Sequence, residues 1–207
     1  GVVYFMGKIF NYDSKFFAGM TKVSDTIIIN ILFVICSIPI VTIGASITAL
    51  YSVSMKITRD EEIYAAKEFI KQFKQNFKQS TIIWIILLVI GLFIGLDFYL
   101  CSLMSDNTIS MIFKFIFTIV SVVLAFILIY VFPLTARFEN SIKNTLTNSI
   151  FMSIQHLPYI LVMSVLAFAP IVSFILFSQY WGQIVFFNTC ISFGFIAYMN
   201  SILLNKI

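Results

Sequence analysis

Apolar runs of about twenty residues recur along this chain. Each is long enough to cross a hydrocarbon layer of roughly 30 Å at about 1.5 Å per helical residue. They are continuously apolar and do not alternate residue by residue, so they read as helices and not as barrel strands. A chain built this way is expected to be all-α, a polytopic transmembrane helix bundle whose main solvent is lipid.

Composition agrees. Of 207 residues, 60% are hydrophobic and 11% charged, and the mean hydropathy is +1.02, whereas a soluble domain carries roughly one-quarter charge. The apolar segments are spread evenly, so residues 1–207 are expected to form a single integral membrane domain. The first 22 residues hold Lys8, Lys15 and Lys22 among scattered aromatics, without the compact apolar core and cleavage site of a signal peptide, and are read as mature sequence. Gly1 to Phe5 before Met6 fits a cloning remnant or an alternative start. Cys36, Cys101 and Cys190 are odd in number, lie in or beside apolar segments and form no Cys-x-x-Cys. They are expected to pack, not to bind metal or form disulfides.

The stretch 23–57 would be roughly 50 Å long as one helix, more than a bilayer needs. Pro39, which lacks a backbone donor and disfavours helix at Ile38, and Gly44, which permits a turn, are assigned as the helix break. Six spans follow, at about 16–38, 45–58, 80–100, 109–131, 150–177 (with Pro158 and Pro170 as kink points) and 184–204. Reading 23–50 as one tilted span gives five as the alternative. Lys56, Arg59, Lys67, Lys71, Lys74 and Lys78 fall between the second and third spans, and Arg137 and Lys143 between the fourth and fifth. The connections near 105–108 and 179–183 hold no Lys or Arg. The positive-inside rule therefore puts both termini and both long loops in the cytoplasm and accounts for the net charge of +4 without nucleic acid.

The segment 59–79 is expected to be a cytoplasmic amphipathic helix. Ile63, Ala66, Phe69, Ile70, Phe73 and Phe77 recur at threes and fours, Asp60, Glu61 and Glu62 suit its start, and Lys67, Lys71, Lys74 and Lys78 form a second stripe. It reads as a membrane-surface helix that orients the fold or as a docking surface for a partner. The candidate docking or structural residues there are Phe69, Phe73, Lys74, Asn76, Phe77 and Lys78. The second cytoplasmic loop, 132–149, adds Arg137, Phe138 and Glu139, with Arg137 and Glu139 pairing with each other or with the first loop.

Charge within the spans is scarce. Asp25 is expected near a helix start, while Asp97 and Lys114 are expected at the outer surface, close enough to form a pair. Asn30, Asn188 and Asn200 are expected to hydrogen-bond between helices. A single histidine, His156, placed as a helix-end residue, and the lack of H-E-x-x-H, G-x-S-x-G and P-loop sequences give no basis for catalytic, metal, cofactor or nucleotide chemistry.

Several stretches resemble, in order, the signatures of the YesL family of bacterial polytopic membrane proteins, long described as a domain of unknown function. They are Phe10-Asn11-Tyr12-Asp13-Ser14, the run from Ser37-Ile38-Pro39 through Gly44-Ala45-Ser46 to Leu50-Tyr51, Arg59-Asp60-Glu61-Glu62, the segment 73–79, and the segment 133–141. The likeness is strongest over 6–97 and 133–141 and weak in the last two spans. It implies a bacterial cell-membrane protein, and a non-enzymatic accessory subunit that binds the permease of a carbohydrate (oligosaccharide) ABC importer. The alternatives are an independent small-solute transporter or channel, and a membrane sensor or scaffold. The family supplies no catalytic residues to carry over.

Overall fold

The computed structural model describes residues 2–103 and 108–206, with side chains from Phe16 onward except that of Ser178. The side chains of Lys8, Lys15 and residues 10–14, and residues 105–107 of the expected outer connection, lie outside the described part. The described residues are helical, and six of the helices are long and apolar enough to cross a membrane. The chain is thus a polytopic α-helical bundle.

Helix α1 runs Val2–Ser37, extending well before the expected start at residue 16, so Asp25 stands in mid-helix and not near a helix start. It ends where Pro39 imposes an extended backbone, with ψ at 116°, ahead of a short 3₁₀ turn Ile40–Thr42. Thr42 Oγ1 lies 2.6 Å from the Cys36 carbonyl and 2.7 Å from that of Pro39, so its hydroxyl serves the carbonyls freed at the break. Gly44 does not make this turn, which corrects its assignment as part of the break. It lies inside helix α2, Ile43–Thr58, with no positive φ. Its role is close packing, because a Cβ there would meet the Ser80 carbonyl oxygen at 2.5 Å and Trp84 Cβ at 2.6 Å.

After α2, Asp60 turns the chain with φ at 58°, a left-handed conformation that Asp tolerates better than most residues. Helix α3 then runs Ala65–Leu103, 39 residues without a break. The expected amphipathic helix and third span are therefore one rod about 58 Å long, and the amphipathic part cannot lie flat on a membrane while the rest crosses it. Asp60, Glu61 and Glu62 precede the helix, and Glu68 is the acid in its first turn.

Helix α4, Thr108–Arg137, continues through Pro133 past the expected end at Val131. The stretch expected as loop 132–149 is thus mostly helix: the end of α4, then α5, Ile142–Gln155. His156 separates α5 from α6, Leu157–Leu176. Pro158 falls in the first turn of α6, where its missing N–H is harmless, so the expected kinked span 150–177 is two helices. The chain ends with α7, Trp181–Phe187, a π turn Asn188–Ser192, and α8, Phe193–Leu204.

Helix α3 serves two partners in succession. Its first half packs antiparallel to α2: Lys56 Nζ meets Glu68 Oε1 at 2.6 Å, Thr48 and Ser80 share a hydroxyl hydrogen bond of 2.8 Å, and the Trp84 indole N–H donates to the Ile40 carbonyl at 2.8 Å. Its second half packs antiparallel to α4 through Trp84 on Phe132 and Phe98 on Phe117. The main core joins Ile29, Val53, Phe69, Tyr130, Ile160 and Met163, all buried. Beside it an apolar cavity of about 680 Å³ is lined by side chains that include Phe33, Leu50, Trp84, Phe132, Phe168 and Phe193.

The π turn is held open by α1. Asn30 Nδ2 donates to the Thr189 carbonyl at 2.6 Å, and Asn30 Oδ1 accepts the Gly194 N–H at 2.7 Å. One carboxamide thus bridges two backbone groups of the widened turn, the Thr189 carbonyl and the Gly194 N–H. Asn200 Nδ2 donates to Tyr51 Oη at 3.0 Å, tying α8 to α2. These two asparagines behave as expected from the sequence, but Asn188 makes no interhelical side-chain hydrogen bond among the described residues.

Candidate docking cleft

The first half of α3 presents a ladder of polar side chains to the rest of the fold. Glu68 Oε1 accepts from Lys56 Nζ at 2.6 Å and from Gln72 Nε2 at 2.9 Å. Asn76 Nδ2 donates to the Gln72 carbonyl at 3.1 Å and to Gln72 Oε1 at 3.3 Å. The row continues with Gln79, whose Nε2 donates to the Asn140 carbonyl at 2.8 Å and to Thr145 Oγ1 at 3.4 Å. Residues 68, 72, 76 and 79 are spaced by four, four and three, so they share one helix face.

The α4–α5 connection meets that face because its ends are fixed. Ser141 caps α5, its Oγ accepting the Asn144 N–H at 3.4 Å, and the Thr145 hydroxyl donates to the Ser141 carbonyl at 3.0 Å. Arg137 Nη1 donates to the Leu204 carbonyl at 2.9 Å, capping the last turn of α8, and its guanidinium lies 5.5 Å from the centre of the Phe138 ring. Between the two segments opens a polar cleft of about 610 Å³, lined by Gln72, Gln75, Asn76 and Gln79 on α3 and by residues 135–140 opposite. Hydrogen-bonding amides with one guanidinium and the Glu139 carboxylate suit recognition of a polar surface or a peptide backbone.

The residues singled out in the sequence divide here. Asn76 lines the cleft together with Arg137, Phe138 and Glu139. Lys74, Phe77 and Lys78 are exposed on α3 but do not line the cleft. Phe73 is half-buried, with its ring 5.5 Å from that of Phe77. Phe69 is fully buried in the core, which removes it as a docking residue. Ala66 and Ile70 are exposed, so the expected apolar face is rotated relative to the face that packs. Among the described residues no ion pair joins Arg137 to Glu139, because the Arg137 guanidinium is turned toward the end of α8.

Sequence reasoning missed Gln72, Gln75, Gln79 and Asn140. The signal was present as the polar repeat 68, 72, 76 and 79, but the stronger apolar repeat on the neighbouring face masked it.

This arrangement defines a multi-pass helical membrane protein with a polar cleft at the lysine-bearing end of its longest helix. Residues 26–98, from α1 to late in α3, match the model of a family described as protein of unknown function, DUF624, which is the YesL family, so the resemblance read from the sequence holds over that stretch. No curated protein and no solved structure matches the chain.

Proposed function

We propose that this protein is a non-enzymatic accessory subunit of a bacterial carbohydrate ABC importer, docking on its permease from within the cell membrane with both termini and the cleft on the cytoplasmic side. The importer partner follows from the YesL resemblance, and the observation that carries the docking role is the cleft. Two segments some sixty residues apart, joined by Gln79 and Asn140, form one open surface whose lining includes the exposed Gln75, Phe138 and Glu139. Amides together with Arg137, Phe138 and Glu139 make a mixed surface of the kind that protein partners bind. The orientation is supported by the lysines that gather at this end.

An independent transporter is less well supported. The large cavity among the helices is lined by apolar side chains, and a sugar pathway requires polar groups along it. The test is purification of the tagged protein from its native cell in mild detergent, with mass spectrometry of what stays bound. Stoichiometric permease subunits that are lost in a Phe138→Ala/Gln75→Glu variant are the expected result. Recovery of the protein alone from several mild detergents, together with solute flux in liposomes holding only this chain, would overturn it.

A further inference from the structure

Six helices qualify as spans by length and composition, but the register between them also fixes how deep each can reach. The tip joining α1 to α2 is tied to α3 at one height, because the Trp84 indole N–H reaches the Ile40 carbonyl and Gly44 lies against Ser80 and Trp84. Helix α3 then runs on to Leu103, about 28 Å further along its axis. Over that length it pairs with α4, Gly91 facing Leu124 and Phe98 facing Phe117. The α3–α4 tip therefore stands beyond the α1–α2 tip by nearly a full hydrocarbon thickness.

Tilt does not remove the offset. With neighbouring helix axes about 8–10 Å apart and α3 tilted at the upper end of roughly 40°, the α1–α2 tip still sits about 15 Å short of the other.

Only one of these tips can lie at the far surface of a single bilayer. The half of α3 beyond Trp84 exposes Leu92, Phe93, Leu96 and Leu100, and the facing part of α4 exposes Ile112 and Phe115. The half before it carries Lys67, Lys71, Lys74 and Lys78. Lipid therefore takes the second half, and the α1–α2 tip falls inside the layer or at its near edge. That tip is itself apolar: Ile38, Ile40 and Val41 are each more than half exposed.

We propose that α1 and α2 form a re-entrant hairpin, which enters the bilayer from the side of the α3 lysines and buries Ile38, Ile40 and Val41 among lipid acyl chains without reaching the opposite surface. The backbone of the tip is compatible with that depth, since the Thr42 hydroxyl, the Thr42 N–H and the Trp84 indole donate to the Cys36, Pro39 and Ile40 carbonyls in turn. Only the naming of that side as cytoplasmic rests on the orientation proposed above.

The test places single cysteines at Ile38, Val41, Ser102 and Gln75 in a background with Cys36, Cys101 and Cys190 replaced by alanine, in intact cells. Ser102→Cys is expected to react with a membrane-impermeant maleimide from outside and Gln75→Cys only after permeabilisation. Ile38→Cys and Val41→Cys should lose the external reaction. In liposomes, a bimane attached at Val41→Cys should be quenched by lipids carrying a mid-chain nitroxide.

External labelling of Val41→Cys or Ile38→Cys together with Ser102→Cys would overturn the re-entrant hairpin in favour of a full crossing. Protection from the maleimide without quenching by lipid would show a protein-covered tip and overturn the lipid contact. Should Gln75→Cys label from outside and Ser102→Cys only from inside, the orientation fails. The hairpin is then judged by whether Val41→Cys still differs from Ser102→Cys.

Discussion

Replacing Asn30 by leucine tests the contact that holds the last span in shape. The side chain is fully buried and makes two hydrogen bonds to backbone groups of the π turn, at 2.6 and 2.7 Å. Leucine has the same number of side-chain heavy atoms and the same branching but neither donor nor acceptor, so the Thr189 carbonyl and the Gly194 N–H lose their partner inside the bundle. Orphaning a buried polar group costs about 1–3 kcal/mol, while side-chain hydrogen bonds between membrane helices average roughly 0.6 kcal/mol. Weighing the two, about 2–4 kcal/mol is expected for the pair. The turn cannot escape by reverting to an α-helix. Removing the extra residue would rotate α7 by about 100° relative to α8, and α8 is pinned by Asn200 on Tyr51 and by Asn205 on Thr58. Unfolding in mixed micelles of increasing SDS fraction reads the loss, with Asn188→Ala in the same turn as the control. A change below about 0.5 kcal/mol for Asn30→Leu, or an equal loss for Asn188→Ala, would refute the bridging role, since ordinary surface changes stay within that range.

Gly44→Ala should destabilise strongly or prevent folding, since the new methyl meets the Ser80 backbone oxygen at 2.5 Å. Gly95→Ala, with nothing within 4 Å of its Cβ, should be neutral or stabilise by up to about 1 kcal/mol through helix propensity, and thermal unfolding in detergent of the two variants separates packing from propensity. Glu68→Ala removes the shared acceptor of Lys56 and Gln72, whose ion pair has 24% and 15% side-chain exposure for Lys56 and Glu68. About 1–2 kcal/mol is expected, read by the same unfolding assay at low and high salt, and a loss unchanged by salt would count against an electrostatic origin.

The class of the fold was legible because lipid imposes few solutions: long apolar runs must be helices, and their count follows from length. The break at Pro39 was legible for the same kind of reason, being a property of one residue's backbone. Gly44 was read for the wrong property, because a glycine that permits a turn and a glycine that permits close approach look alike in sequence, and only the Ser80 and Trp84 contacts distinguish them. The candidate cleft was half visible. Arg137, Phe138 and Glu139 stood out as a polar island after an apolar span, whereas Gln79 gained its role from Asn140 and Thr145, more than sixty residues away. The fourth span was read too short, to residue 131, whereas α4 runs on through Pro133 to Arg137.

Depth was the property that sequence alone could not supply. Hydropathy scores each segment by itself, and α1, α2 and α3 all pass, but the scores carry no information on the height of one segment against another. One indole hydrogen bond, Trp84 to Ile40, supplies it. Raising the α1–α2 tip to the far surface would draw Lys67, Lys71, Lys74 and Lys78 toward the hydrocarbon, at about 2.5–3.5 kcal/mol apiece near the centre. The same shift would push Leu92, Phe93, Leu96 and Leu100 out into water, and these two costs together must outweigh the gain from carrying the exposed Phe16, Phe17, Met20 and Val23 of α1 into lipid. Snorkelling can rescue Lys67, which stays near the entry surface, but Lys74 lies seven residues later, about 10 Å further into the layer. The long rod of α3 is therefore best understood as a span joined to a protruding support, with α2 bound to the support and α4 bound to the span.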